Sequence, residues 1–216
     1  MKHKQIVAGL FLALSAQCAV AKDITSDTPY NWRGFFVGVQ AGDLWSQTKV
    51  TDTGTSTTTN EATNGWVGGI EYGYNFQNGE WVFGSESDFG LSGAHGIGAT
   101  LVSANQYDIN WDSHSRVRVG FAPNEGPLLL YVAGGLAIAH FTFTDGESST
   151  QTSATYFGGS AGVGVEYGFS PNLSGQLEFV YDDYAMGIGT GAIDTPDYVS
   201  HLQNASTIRA AINFHF

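Results

Sequence analysis

The sequence contains few charged residues, a single cysteine and, beyond its first residues, no long apolar run. Only 13% of the 216 residues are charged, whereas an ordinary globular chain has about 25%. No stretch after residue 21 approaches the roughly 20 apolar residues of a membrane helix, which excludes a helical membrane protein. Lys and Arg number 8 against 20 Asp and Glu. Because nucleic-acid binding requires clustered cations, no nucleic-acid partner is expected.

Residues 1–21 have the form of a secretory signal peptide. A basic start at Lys2 and Lys4 precedes an apolar stretch over residues 6–16, and Ala19-Val20-Ala21 has the small-residue form of a cleavage site. We therefore expect the chain to be exported.

Cleavage after residue 21 predicts a periplasmic N-terminal segment at residues 22–31, followed by a folded domain at residues 32–216. It also removes Cys18, so no disulfide is expected in the mature chain. Cys18 has an alternative interpretation as a lipoprotein acceptor, but Gln17 stands where that signal requires a small residue.

What the sequence has in abundance is apolar and aromatic residues at alternate positions. In an extended chain, alternate side chains point to opposite faces, so this period of two indicates strands with one apolar face. Both faces are apolar or small at residues 128–144, which leaves the parity of that strand open. The eight candidate strands are at residues 35–41, 66–76, 81–91, 107–121, 128–144, 157–169, 173–181 and 208–216.

The segment "YDINWDSHSRVRVGF" from Tyr107 carries more charge than any other candidate strand. Strict alternation places Tyr107, Ile109 and Trp111 on its apolar face, with the residues at every second position beyond them. The opposite face then carries the ionic side chains, which are Asp108, Asp112, His114, Arg116 and Arg118. This is an amphipathic strand, and its apolar face meets either a protein core or lipid.

Eight such apolar faces are too many for one soluble core in a chain of this length. Tilted strands of about 9 to 11 residues that cross a bilayer have this pattern, with the apolar band outside. The prediction is an all-β fold, an eight-stranded antiparallel transmembrane up-and-down β-barrel. A soluble β-sandwich is the alternative.

Short and long connections alternate between the candidate strands. Asn78-Gly79, Ser170-Pro171-Asn172 and the "PNEGP" segment from Pro123 are short turns. Long polar connections start near Gln47, Ser92, Asp145 and Gly187. Outer-membrane barrels have short periplasmic turns and long extracellular loops, so both chain ends are expected in the periplasm and the loops are expected to carry recognition.

Several segments together resemble the small OmpA-like outer-membrane β-barrel family, especially its alphaproteobacterial branch of immunogenic surface proteins. They are "YNWRGFFVGVQAG" from Tyr30, "GGIEYGYNFQNGEWVFGSESDF" from Gly68, "LLYVAGGLAIA" from Leu129, "GVGVEYGFSPNLSGQLEFVYDDY" from Gly162 and the terminal "IRAAINFHF". The C-terminal Ile212, Phe214 and Phe216 are similar to the signal that the barrel-assembly machinery recognises. The resemblance implies an outer-membrane location and contact with outer-membrane lipid.

The family's shared function is broad. Some members act in adhesion, envelope integrity or small-solute passage, and some are named porins or hemin-binding proteins. Eight strands enclose a space that side chains fill, whereas open channels have 16 or 18 strands. We therefore expect a structural and surface-interaction protein with a plugged polar interior and a possible extracellular partner at its loops. A narrow porin is the alternative.

Enzyme and cofactor chemistry finds little support in the sequence. Ser113 and Ser115 have the opposite parity to Asp112 and His114, so no Ser-His pair forms within that strand. The histidines of the outer connections and strand ends have no metal- or heme-ligand spacing: His95, His140 and His201. No enzyme activity, metal or cofactor is expected, and a lipid enzyme and a hemin-binding protein are the weaker alternatives.

Inward charges recur near one height of the predicted barrel. Counting residues from the turns predicts an ionic cluster of two arginines and three glutamates: Glu71, Glu86, Arg116, Glu178 and Arg209. Above it the sequence predicts four inward acids with few cations, in a water-filled upper lumen: Asp88, Asp108, Asp112 and Asp182.

Overall fold

The computed structural model describes residues 29–216 except 53, 55, 57, 100–103, 147–148, 185–192 and 195–197. The predicted signal peptide at residues 1–21 lies outside the described residues, as does most of the predicted segment at residues 22–31. No helix among the described residues is long and apolar enough to cross a membrane. The described strands are β1 (Gly34–Asp52), β2 (Thr58–Asn78), β3 (Trp81–Ala99), β4 (Ala104–Phe121), β5 (Leu128–Thr144), β6 (Gln151–Ser170), β7 (Leu173–Asp183), β8 (Ile193–Asp194) and β9 (Tyr198–His215).

Eight long antiparallel strands close into a ring. β1 to β7 pair in chain order, β7 pairs with β9, and β9 pairs back with β1. The two-residue β8 pairs only with β9. The predicted eight-stranded up-and-down barrel is therefore confirmed. Closure joins the first and last strands, which is what a sheet needs in order to cross a bilayer without an unpaired edge.

One end of the barrel has three short connections, and we call it the turn end. Gly79 turns the β2–β3 hairpin with a φ of +60°, a 3-10 turn at Pro123–Glu125 joins β4 to β5, and Pro171 and Asn172 join β6 to β7. Both ends of the barrel sequence also lie here, because the Phe216 amide donates to the Phe35 carbonyl at 2.9 Å. The opposite end is the loop end.

The bounds of the predicted connections from Gln47 and Ser92 are wrong, because the strands run far into them. The connection from Asp145 begins where β5 ends, and much of the connection from Gly187 lies outside the described residues. β1 extends to Asp52 and β2 begins at Thr58, so most of the predicted connection from Gln47 forms a paired hairpin. Thr51 and Thr58 are partners, and their hydroxyls lie 3.1 Å apart. Thr favours strands, so a polar, Thr-rich segment continues the sheet once its partner is aligned.

Two β-bulges interrupt neighbouring strands toward the loop end. The β3–β4 register shifts between Leu91 and Ala94, and the β4–β5 register shifts between Ile109 and Trp111. A bulge inserts an extra residue, which sends the side chains beyond it to the opposite face. We call the part between the turn end and these bulges the lower barrel, and the part beyond them the upper barrel.

The bulges overturn the predicted parity of the start of β4. Tyr107 and Ile109 point inward and are buried, whereas Asp108 points outward and contacts His95. The prediction of Asp108 as an interior acid is wrong because Asn110 is the extra residue at the bulge. Strict alternation holds only from Trp111 onward.

The open parity of β5 is resolved by burial. Its odd-numbered residues point inward, as buried Leu129, Tyr131 and Phe141 show, while Leu130 and Leu136 are exposed on the outer wall.

The two parts of the barrel have opposite polarity. Outside, the lower barrel exposes apolar side chains such as Trp66, Val117 and Leu136, and inside it buries charged ones. The upper barrel is largely reversed, since its outer wall carries residues such as His95 and Asp108 around an apolar core. A lipid-facing band therefore ends near the bulges, and the upper barrel has the apolar interior of a water-soluble barrel.

Cysteine labelling tests this change of parity. Asp108→Cys in the folded protein should react with a water-soluble maleimide, and Tyr107→Cys should be protected because its side chain lies inside the barrel. Cys18 is the only natural cysteine and lies in the predicted signal peptide, so the parent protein gives the background. Faster labelling at position 107 than at position 108 would contradict the bulge.

Candidate functional site

The turn end of the barrel interior is closed by Trp32. This residue is fully buried against Val82 and Leu129. Its backbone amide donates to Gln77 Oε1 at 2.8 Å, and its indole Nε1 donates to the Gly126 carbonyl at 3.2 Å. The chain before β1 therefore crosses under the lumen and ties two turns together. Sequence alternation missed this role because residue 32 precedes the first strand.

Tyr30 secures the same segment to a third turn. Its backbone amide donates to the Glu125 carbonyl at 2.7 Å, and its hydroxyl donates to the Ser170 carbonyl at 2.9 Å. Burial, with a contribution from the Glu166 carboxylate, raises the pKa of Tyr30 to about 12. The phenol therefore remains a neutral donor at any physiological pH.

Arg116 lies at the centre of an ionic layer above this closure. Its Nη2 is 2.7 Å from Glu86 Oε1 and 3.0 Å from Glu178 Oε2. Glu86 is its direct cross-strand neighbour, and Glu178 reaches it from β7 across the lumen. A planar guanidinium is suited to such shared contacts because it presents several donors and stays charged when buried.

Arg209 completes the layer from β9. Its Nη2 and Nε lie 2.7 and 2.8 Å from Glu178 Oε2, and its Nη1 is 3.0 Å from Asp88 Oδ2. Glu71 is buried on β2 within electrostatic range of Arg209. The structure thus places all five residues of the predicted ionic cluster inside the lower barrel.

Arg118 is a third buried arginine that the predicted cluster omitted. Its Nη1 lies 3.2 Å from Glu166 Oε2, and its guanidinium lies between the rings of Phe36 and Tyr131, 4.5 and 5.3 Å from their centroids. The inward parity of Arg118 was visible in the sequence. Its partner Glu166 was not, because only the fold brings β6 opposite β4.

His114 connects the ionic layer to the acids above it. Its Nδ1 is 2.7 Å from Asp88 Oδ1, and its Nε2 is 3.0 Å from Asp182 Oδ2. Since both ring nitrogens face carboxylate oxygens, an imidazolium can donate to both acids. Asp112 is buried within electrostatic range of the same three residues.

The predicted water-filled upper lumen is wrong. Asp88, Asp112 and Asp182 are each at most 4% exposed, and the apolar core of the upper barrel covers them. The sequence hid this core because the Asn110 bulge turns Tyr107 and Ile109 inward from the outer wall to which alternation assigned them, and because the parity of β5, with Phe141 and Phe143, was open. Its larger members are Leu44, Tyr107, Ile109, Phe141, Phe143, Tyr156, Tyr184 and Leu202.

Acids outnumber arginines inside the barrel. Seven buried carboxylates, of Glu71, Glu86, Asp88, Asp112, Glu166, Glu178 and Asp182, surround three buried arginines, Arg116, Arg118 and Arg209. Each arginine therefore compensates more than one carboxylate. Among the described residues, three layers follow one another along the interior: Trp32 at the turn end, then the ionic layer, then the apolar core.

The serines of β4 do not form a catalytic pair with His114. Ser113 and Ser115 face outward, where Ser113 donates to the Asp88 carbonyl at 2.7 Å and Ser87 donates to Ser115 at 3.3 Å. No group of three or more potential metal ligands occurs among the described residues.

A second set of catalytic residue types is buried at the turn end. Ser174 Oγ lies 2.8 Å from His215 Nε2 and 2.5 Å from Glu166 Oε1. Glu166 also contacts the same His215 Nε2 at 3.2 Å, while His215 Nδ1 has no hydrogen-bond partner among the described residues. A catalytic triad needs the acid on the other ring nitrogen, so this arrangement lacks the relay geometry.

The predicted assembly signal lies on the outer wall of β9. Ile212, Phe214 and Phe216 are exposed, and the rings of the two phenylalanines contact each other at 5.1 Å between centroids. They form an apolar stripe at the turn end.

Replacement of Arg116 by leucine should lower the urea midpoint of unfolding. Because the side chain is fully buried, uncompensated carboxylates should cost about 3 to 5 kcal/mol. Adding Glu86→Leu should recover part of this loss, and Val117→Leu on the outer wall provides the matched control. An unchanged midpoint for Arg116→Leu would show that the ionic layer does not stabilise the barrel.

Residues 6–216 match the family model described as outer membrane protein beta-barrel domain. The chain is 34% identical to the 22 kDa outer membrane protein of Rhizobium leguminosarum bv. viciae, over 71% of this chain and 65% of that relative, a little under two thirds of its length. It is 27% identical to the 31 kDa outer-membrane immunogenic protein of Brucella melitensis, over 99% of this chain and 100% of that protein.

Two solved structures share the fold. The outer membrane protein OprG from Pseudomonas aeruginosa has a TM-score of 0.55 at 12% identity, covering 85% of this chain and 97% of that one. Neisserial surface protein A has a TM-score of 0.51 at 15% identity, with the same coverage of 85% and 97%. At these identities the likeness concerns the fold alone.

Proposed function

The chain belongs to the outer membrane protein beta-barrel domain family, and from this we propose that it is a structural and surface-interaction protein with a closed lumen and recognition at its loop end. The family and its named relatives place it in the outer membrane. The observation that carries the proposal is the filled interior. Trp32, the ionic layer around Arg116 and the apolar core around Tyr107 stand in series along the lumen.

A closed lumen leaves the outside of the barrel as the surface for interaction. The lower wall suits lipid, and the upper barrel carries polar side chains beyond the apolar band. Strand pairing extends the hairpins rigidly toward the loop end, as in β1 and β2 up to Thr51 and Thr58. An extracellular partner would therefore meet a stiff, polar upper barrel.

The proposal includes no catalysis and no cofactor. The buried Ser174, His215 and Glu166 lack relay geometry, and His95, His140 and His201 stand on separate strands. Turnover of lipid A or phospholipid, or stoichiometric hemin binding, by the purified protein would argue for the alternatives of a lipid enzyme or a hemin-binding protein.

Planar-bilayer conductance tests the closed lumen. The refolded full-length mature chain should give no stable single-channel steps, whereas a sixteen-stranded porin in the same bilayer should give them as the positive control. Reproducible steps of one size would favour a narrow porin instead.

The C-terminal stripe should be needed for efficient assembly, because we also propose that the barrel-assembly machinery recognises it. Deletion of Phe216 should slow the appearance of the compact, heat-modifiable form in membranes without changing its final mobility. Phe169→Ala, which removes an exposed aromatic from the same end, serves as the control. Assembly at the parent rate after deletion would contradict the signal.

A further inference from the structure

A polar row crosses the outer wall of the upper barrel on five adjacent strands. Asn64, His95, Asp108, Thr142 and Ser153 are successive cross-strand partners from β2 to β6. All five are exposed or half-buried. At about 4.8 Å between strands, the row is roughly 20 Å wide. The closed lumen and the assembly signal make no use of it.

The row is an ordered network. His95 Nδ1 lies 2.6 Å from Asp108 Oδ1. Thr142 Oγ1 donates to Asn110 Oδ1 at 2.7 Å and lies 3.0 Å from Ser153 Oγ. The Asn110 bulge contributes because it turns Asp108 outward, to the face where His95 already lies by the alternation of β3. The carboxylate, amide and imidazole keep further donor and acceptor capacity toward the outside.

Aromatic rings lie directly below the row. Trp111 is stacked on His140, with centroids 5.6 Å apart and an interplanar angle of 5°, and Phe89 lies 5.7 Å from Trp111 on its other side. His140 is held by Thr155, whose hydroxyl is 3.2 Å from Nδ1. Exposed Leu91 lies beside Trp111 as its cross-strand partner, and exposed Leu136 continues the apolar wall below the rings. The row therefore lies where acyl chains give way to headgroups.

We propose that this row, with the Trp111–His140 stack beneath it, binds the sugar headgroup of an outer-leaflet glycolipid. Paired hydroxyls of a sugar match the planar carboxylate of Asp108 and the amides of Asn64 and Asn110, each of which offers two polar atoms. The apolar faces of a sugar ring pack on an aromatic surface. The acyl chains of the same molecule would lie along Leu91 and Leu136.

The charge of the row selects the sugar rather than a phosphate. Asp108 is acidic, and His95, which is already paired with it, is the only basic side chain in the row. A phosphate would meet a carboxylate without a strong cation beside it. The inference rests on the proposed surface-interaction function and names its partner.

Retention of lipopolysaccharide tests the inference. The mature chain is refolded in phosphatidylcholine vesicles containing a small fraction of purified lipopolysaccharide, re-extracted in mild detergent, and its bound lipid is counted by native mass spectrometry. The parent should retain lipopolysaccharide in preference to phosphatidylcholine. Combining His95→Ala with Asp108→Ala should weaken retention about tenfold, the effect expected from two or three lost hydrogen bonds.

Asn204→Ala with Ser206→Ala is the matched control, because these polar residues of the outer wall lie on β9, two strands from Asn64 and outside the row. Heat-modifiable mobility confirms that each variant is folded, and the milder Asp108→Asn replaces the double variant if that one fails to fold. Equal losses in both pairs, or none in either, would overturn the inference. If the deacylated saccharide bound as tightly as the intact glycolipid, the ligand would be a free sugar and not a membrane lipid, and this result would also overturn the inference. Conductance is scored separately, so a conducting barrel that retains lipopolysaccharide at this row would refute the closed lumen alone.

Discussion

The hydrocarbon of a bilayer offers no hydrogen-bond partners, and the architecture of this barrel follows from that constraint. Backbone groups pair strand to strand around a closed ring, and charged side chains of the membrane-spanning part turn inward. Inside the barrel, Arg116, Arg209 and His114 pair with acidic side chains of β3 and β7. The polar interior is thus a consequence of the lipid exterior.

A lumen of eight strands is narrow enough for such side chains to meet across it. Arg116 from β4 and Arg209 from β9 contact the same oxygen of Glu178. Removing one partner would leave several buried charges without a counter-ion, so the contributions of these side chains to stability depend on one another. Buried Trp32 lies on one side of this layer and the apolar core on the other.

The Asn110 bulge lies at the boundary between the lower and the upper barrel. By inserting Asn110, β4 presents Tyr107 and Ile109 to the interior and Asp108 to the outside. Other strands reach the apolar core without a change of parity, as Leu44 on β1 and Phe141 on β5 show. One inserted residue lets the start of β4 match the polarity of its neighbours in the upper barrel.

The period-two alternation was sufficient to predict eight strands, their closure and the inward parity of Glu86, Arg116 and Glu178, because burial on one face is a local property of each strand. It could not show the Asn110 bulge, since Ile109 and Trp111 on either side are both apolar and continue the pattern. It also missed Trp32, and the pairings of Arg118 with Glu166 and of His114 with Asp182. The ion pairs depend on which strands approach each other inside the barrel, and the bulge depends on the register of β4 against its neighbours. Both are decided by the tertiary pairing of the strands.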